Sequence, residues 1–407
     1  MTICYNEKFN AKVFNLTDVL YRYKKNVNIT QAEEVQLHAL CDICPHMRKR
    51  FNLRNPSFNM SSSDFSLYMT KIMPFSSGAL EFNGVIHKNS RDALQTTISF
   101  NQGPCKTFNL ANSLEMFTEN VSKIFRNDVS EPQNRSSNEK RPYHLESAGS
   151  KYGFRLEINI SKQTYKQFCT PTNGFIMVSL HSPYNLPDVS FHFAMVPFET
   201  HSRIFIKPLS IVTPDHLSSY SKNLRHCIFK YEKKLSFFKV YSRANCEMEC
   251  QTNHFIKKCG CVKFFMIHNE STRICQTVSE INCFKNAITV LRDAKNACNC
   301  LSACNDIQYD FVTTNMAFSE SDDFFSLIEI YYASDNFIKL QRTEAFGLVD
   351  FLSSCGGFLG LMTGGSVLSL IQIFYHIFIK NFFEKKEAKK NLKKRSIYAR
   401  AVEPKKF

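Results

Sequence analysis

The sequence predicts an α+β, disulfide-rich extracellular domain followed by one C-terminal transmembrane helix, and three observations carry that reading. From Phe351 to Ile379 there is no Asp, Glu, Lys or Arg, a run longer than the roughly 20 apolar residues a helix needs to cross a bilayer. The chain has 16 cysteines, all but Cys355 upstream of that run, a usage expected of an oxidising compartment and a disulfide framework. Asn-x-Ser/Thr sequons begin at Asn15, Asn28, Asn59, Asn120, Asn134, Asn159 and Asn269, again all upstream, and each is a candidate glycan acceptor. The expected division is an ectodomain over 1–345, a membrane segment over 346–379 and a tail over 380–407.

Topology follows from charge. The tail, KNFFEKKEAKKNLKKRSIYARAVEPKKF, crowds Lys and Arg at the membrane edge, so the positive-inside rule places it in the cytosol and everything upstream outside. It supplies a large share of the net charge of +15. No ordered alternation of basic and aromatic residues marks a nucleic-acid groove, so the basicity reads as topology and attraction to anionic membrane lipid. Within the membrane segment, Ser353, Ser354, Gly356, Gly357, Gly360, Thr363, Gly364, Gly365, Ser366 and Ser369 interrupt the apolar run. Small residues let helix backbones approach closely, and they let hydroxyls or carbonyls face a neighbour or a water-filled path. Composition alone suits a single-pass anchor with a packing motif equally well, and Cys355 reads as a small apolar packing residue.

Upstream, residues 151–240 alternate apolar and polar in short runs such as FRLEINI, GFIMVSL and SFHFAMV, broken by Pro183, Pro187 and Pro197. These are expected strands and turns, and the polar stretch 123–150 is an expected exposed loop. Cysteines are densest from Cys227 to Cys304. In RANCEMECQTNHFIKKC, taken as helical, Cys246 and Cys250 share one face about 6 Å apart along the axis. Cys298 and Cys300, if extended, share a face about 6.6 Å apart. Laid antiparallel, the two segments accept two rungs, Cys246 to Cys300 and Cys250 to Cys298, at Cα separations near about 5.5 Å. Nesting outward adds Cys227 to Cys304 and leaves Cys259, Cys261, Cys275 and Cys283 at the tip. Four cysteines permit three pairings there, and Cys-x-Cys could equally ligate zinc, although thiols held outside the cell are expected to be oxidised.

The string FLSSCGGFLGLMTGGSVLSLI, Phe351 to Ile371, resembles the second transmembrane helix of the degenerin/epithelial sodium channel family, especially its insect pickpocket branch. The resemblance implies that Gly364, Gly365 and Ser366 form the narrow selectivity belt of a trimeric pore. It puts Ser353 at the position where bulky substitution holds the gate open and Ser354 at the outer vestibule, and Gly357 joins them as a candidate pore position. The family usually carries a glutamate six residues after the serine of the triplet, where this chain has Gln372. Amides attract cations far less than a ring of carboxylates. The opening Tyr241-Ser242-x-x-x-Cys246-x-x-x-Cys250 and the close Cys298-x-Cys300-x-x-x-Cys304 resemble the family's cysteine-rich thumb, over 227–304. That likeness implies Cys259 with Cys283 and Cys261 with Cys275, and in an oxidising compartment no metal is expected there.

Thr2-Ile3-Cys4-Tyr5-Asn6 resembles the family's Val-Thr-Ile-Cys-Asn motif, and Gly103-Pro104-Cys105-Lys106-Thr107-Phe108-Asn109 its Gly-x-Cys-x-x-Phe-Asn motif. The family joins these cysteines, which implies Cys4 with Cys105. His181-Ser182-Pro183 with Pro187 is similar to the family's palm and β-ball region, so a palm, β-ball, finger and thumb ectodomain is expected. Cys41, Cys44 and Cys169 remain. A finger pair usual in the family is displaced or lost, and three cysteines cannot all pair with one another.

The implied function is a subunit of a homo- or heterotrimeric, stimulus-gated, amiloride-sensitive sodium channel of the plasma membrane, passing Na+ without a cofactor. Acid, peptide, small molecule and force all serve as stimuli in the family. The alternative is a non-conducting accessory or dominant-negative surface protein, which Gln372 favours. No second stretch approaches spanning length, and MTICYNEKFN lacks the basic start and apolar core of a signal peptide. The chain is therefore expected to be a truncated form of a multi-pass subunit whose first membrane helix lies upstream, with a natural one-helix isoform as the alternative. An enzyme reading has little support: His181, His192 and His201 lack metal-site spacing and Ser353 lacks a nucleophile-elbow setting.

Overall fold

The computed structural model describes residues 1–6, 8–44, 47, 54–55, 61–73, 77–87, 93–126, 142–160, 169, 174–190, 192–293, 298–318 and 324–401. The chain divides into two units, Met1–Arg342 and Thr343–Phe407.

Two sheets form the centre of the first unit. One has five strands in the order β4 (Leu94–Ser99), β5 (Gly103–Phe108), β1 (Thr2–Tyr5), β7 (Phe175–Ser179) and β8 (Ala194–Pro197). The other runs β12 (Asp306–Ala317), β9 (Thr200–Val212), β13 (Phe324–Tyr332), β6 (Phe154–Ile160), β2 (Ser77–Phe82) and β3 (Val85–His87), with β14 (Ile338–Gln341) also pairing β9. The alternation in FRLEINI explains the seating of β6: Phe154, Leu156, Ile158 and Ile160 are buried while Arg155 and Asn159 face solvent, the period-2 signature of a half-buried strand. Those side chains share one core with Ile3, Ile176, Val178 and Val196 from the other sheet. β13 lies antiparallel to β6 and parallel to β9, and its middle residues are buried accordingly.

A second core is helical. α1 (Leu16–Lys25), α2 (Gln31–Ile43) and α3 (Ser62–Ile72) contribute Leu16, Val35, Leu40, Phe65 and Met69. α4 (Arg243–Cys259) and α5 (Val278–Asp293) contribute Phe255 and Phe284, whose rings stack at 4.0 Å. α2 begins at a capping box in which Thr30 accepts the Glu33 N–H and the Glu33 carboxylate accepts the Thr30 N–H, satisfying two donors that a helix start otherwise leaves open. Of the expected loop 123–150, residues 127–141 lie outside the described residues, and 142–149 carry neither helix nor strand. Lys123–Arg126 make a helical turn, and Asn109 exchanges both amide bonds with the Tyr143 backbone, which holds that ring against Phe82 and Phe108.

In the second unit the expected single helix over 346–379 is divided. α6 (Leu348–Thr363) ends at Gly364, α7 (Val367–Phe374) begins after Ser366, a π-helical turn covers Tyr375–Lys380, and α8 (Asn381–Ala401) carries the basic tail. The axes on the two sides of the break meet at 78°. Among the described residues no single helix is long and apolar enough to cross a membrane, whereas the bent pair Leu348–Thr363 and Leu368–Lys393 has the length and composition.

Candidate pore segment

The break is built by the residues at it. Gly364 takes the left-handed conformation at φ +66°, a region other L-residues enter at a cost, and so terminates α6. Thr363 donates its hydroxyl to the Leu359 carbonyl at 2.7 Å and accepts the Gly365 N–H at 3.2 Å. Ser366, with extended backbone, accepts the Ser369 N–H at 3.3 Å while its own N–H reaches Ser369 Oγ at 3.2 Å, a reciprocal cap that starts α7. The Gly365 carbonyl lies 3.2 Å from where a Cβ on Gly360 would sit, so the glycine at 360 makes room for the returning chain.

A helix end leaves carbonyls without intrahelical donors. Here that end falls on two residues without side chains, in a stretch whose one charged residue from 346 to 379 is Asp350. Main-chain oxygens in such a place can replace part of a cation's hydration shell. Ser353, Gly357 and Gly360 recur at four and three residues, which puts them on one side of α6; Ser354 lies one position round. Ser353, Ser354, Gly357 and Gln372 are all exposed. Asp350 caps α6 by accepting the Gly347 N–H at 2.9 Å.

The first unit is braced by seven disulfides among the described residues. Cys246 joins Cys300 and Cys250 joins Cys298, each at a Cα separation of 5.8 Å. Cys227 joins Cys304 beside the short parallel pair β10 (Cys227–Ile228) and β11 (Ser302–Ala303). Cys259 pairs with Cys283, Cys261 with Cys275, and Cys4 with Cys105. The segment opposite α4 is not the extended strand expected: Asn299 turns through φ 43° between the two cysteines, and the rungs form across that turn. Cys44 pairs with Cys169 across 125 residues, and Cys41 is a buried thiol.

A family model described as amiloride-sensitive sodium channel matches residues 1–376. The chain belongs to the amiloride-sensitive sodium channel family. It is 28% identical over 274 residues to Pickpocket protein 28 of Drosophila melanogaster, covering 61% of this chain and 44% of that protein. It is 24% identical over 265 residues to the sodium channel protein Nach of Drosophila virilis, covering 60% and 68%. Over 260 residues it is 25% identical to the human bile acid-sensitive ion channel, covering 57% and 48%. The chain spans about half the length of the curated relatives it matches. The assignment to this degenerin/epithelial sodium channel family is pickpocket-like, and the family is one of ion channels, not enzymes.

On this family member the sequon residues Asn15, Asn28, Asn120 and Asn159 are exposed and Asn269 is half-buried; Asn59 and Asn134 lie outside the described residues. Two residues of the candidate pore escaped the sequence analysis as functional positions. Ser369 completes the Ser366 cap, and the serine-to-serine spacing of three was the available signal. Asp350 is the acid at the head of α6, legible from its place just before the uncharged run.

Proposed function

We propose that this chain is a subunit of a stimulus-gated, amiloride-sensitive sodium channel of the plasma membrane, assembled as a homo- or heterotrimer with related subunits. The observation that carries the reading is the helix break at Gly364–Ser366 inside an uncharged, membrane-length segment of a member of this family. Three copies brought together there would present glycine carbonyls and serine hydroxyls to a permeating Na+, with 1–345 outside and 380–407 in the cytosol. Ser353, Ser354 and Gly357 would line the wider part above the constriction. Seven disulfides suit a domain outside the cell. The test is voltage clamp of cells expressing the protein with related subunits. An inward, amiloride-blocked sodium current that Gly365→Trp abolishes supports the reading; a surface-expressed protein that adds no current and leaves partner currents unchanged refutes it. Gln372 favours a second reading, a weakly conducting or non-conducting subunit that modulates its partners, and in that case partner currents change while no new current appears.

A further inference from the structure

Beyond the helix break, the polar residues of the membrane segment keep to one side. Ser369, Gln372, His376 and Lys380 follow one another at three, four and four residues, and every other residue from 367 to 379 is aliphatic or aromatic. α7, the π-helical turn and α8 run on without interruption from Val367 to Ala401, so one helix phase relates all four. Steps of three and four in an α-helix return to nearly the same direction, and the wider π turn takes back the forward drift that repeated steps of four build up. The four positions therefore share an arc of about 60°. Phe374 and Phe378, two residues beyond Gln372 and His376, fall on the opposite side, their ring centroids 4.8 Å apart.

An amide and an imidazole turned toward hydrocarbon would leave their polar atoms without hydrogen bonds. Such groups in a membrane segment face either a neighbouring helix or water. Two features of the stripe favour water. Close helix contacts are built from small residues, and from 367 to 379 there is no Gly, Ala or Thr and one Ser, in contrast to the glycine-rich α6. The stripe is also polar from end to end. It begins at Ser369, whose N–H is accepted by Ser366 at the break, and it ends at Lys380, whose ammonium lies 3.9 Å from the Glu384 carboxylate with both side chains at least half exposed. Glu384 is four residues further on, so this ionised pair continues the same side.

We propose that His376, one turn beyond Gln372, lines a water-filled cation path on the cytosolic side of the break, with the Lys380–Glu384 pair at its mouth. This rests on the reading of the chain as a channel subunit. The imidazole and the Gln372 amide then meet water and the permeating ion, and the phenylalanine side of the same helix meets lipid or protein.

The test uses the complete chain expressed with related subunits, in inside-out patches whose cytosolic face receives a membrane-impermeant, cationic methanethiosulfonate. The reagent reacts with a thiol that water reaches, and the fixed positive charge it leaves in a cation path repels the ions that pass. His376→Cys should therefore lose about half or more of its amiloride-blocked sodium current, while the unsubstituted chain and Phe378→Cys keep theirs. An unchanged current in His376→Cys overturns the inference and spares the channel reading, and so does an equal loss in Phe378→Cys. If His376→Cys carries no current before the reagent is added, His376→Asp is read instead: a raised single-channel sodium conductance supports the placement, and an unchanged or lost one overturns it. An unsubstituted chain that adds no amiloride-blocked current to that of its partners removes the channel reading and this inference together.

Discussion

Lys263 places its ammonium 2.6 Å from the Asp42 carboxylate with both side chains buried, joining α2 to the loop after Cys261 across 221 residues of sequence. The same ammonium lies over the Phe284 ring at 5.4 Å. Removing one charge of a buried pair strands the other at about 3–5 kcal/mol. Asp42→Asn and Lys263→Met should each cut the yield of folded, glycosylated protein sharply. The combined Asp42→Leu, Lys263→Met form should recover most of it, because a well-packed apolar pair is often neutral in place of a buried ion pair. Equal losses in single and double forms would show that the contact matters by shape and not by charge compensation.

The rungs Cys246–Cys300 and Cys250–Cys298 close loops of 54 and 48 residues. In the chain-entropy account each such closure is worth on the order of 4 kcal/mol. Non-reducing peptide mapping should recover both links, and Cys250→Ser should reduce surface expression severely. A Cys246–Cys250 peptide would contradict the ladder.

His181 is held neutral by its contacts. Its Nδ1 donates to the Ser182 carbonyl at 2.9 Å, which leaves Nε2 to accept from the Thr2 hydroxyl at 2.8 Å. Burial lowers its pKa from 6.5 to about 3. Below about 6.5 the unfolded chain takes up a proton that the folded one refuses. Stability from this site is therefore complete above that pH and erodes as pH falls toward 3, by at most about 1.4 kcal/mol per unit. Denaturant midpoints at pH 7.5 and 5.0 should differ, and the difference should shrink in His181→Gln. An unchanged difference would assign the acid sensitivity to other groups.

At the break, Gly364→Val forces a β-branched residue to φ +66°, a strain of about 1–2 kcal/mol. Channels carrying it, if they open, should show altered sodium-to-potassium permeability; unchanged selectivity would remove the triplet from the conduction path.

Ser353→Phe should raise resting current by obstructing closure of converging helices, read as holding current before and after amiloride. Gln372→Glu should raise sodium conductance, since three carboxylates near a narrow path attract cations where amides offer only dipoles. Single-channel amplitude is the measurement, and no change would place residue 372 away from the ion path.

Local spacing carried a good deal of this protein. A helix repeats every 3.6 residues, so Cys246 and Cys250 had to share a face, and an uncharged run of membrane length reads as such without coordinates. The alternation of FRLEINI already separated the inward from the outward side of β6. What needed the tertiary structure is non-local. The Cys44–Cys169 pair spans 125 residues, and no spacing rule reaches across a chain whose path between them is unknown. The order β12-β9-β13-β6-β2-β3 was likewise invisible, because apolar alternation says which face is buried and not which strand lies alongside. Gly364, Gly365 and Ser366 were legible as small residues, but that they stop one helix and start another depends on a left-handed glycine and a reciprocal Ser366–Ser369 cap, a choice of backbone geometry that composition permits without imposing.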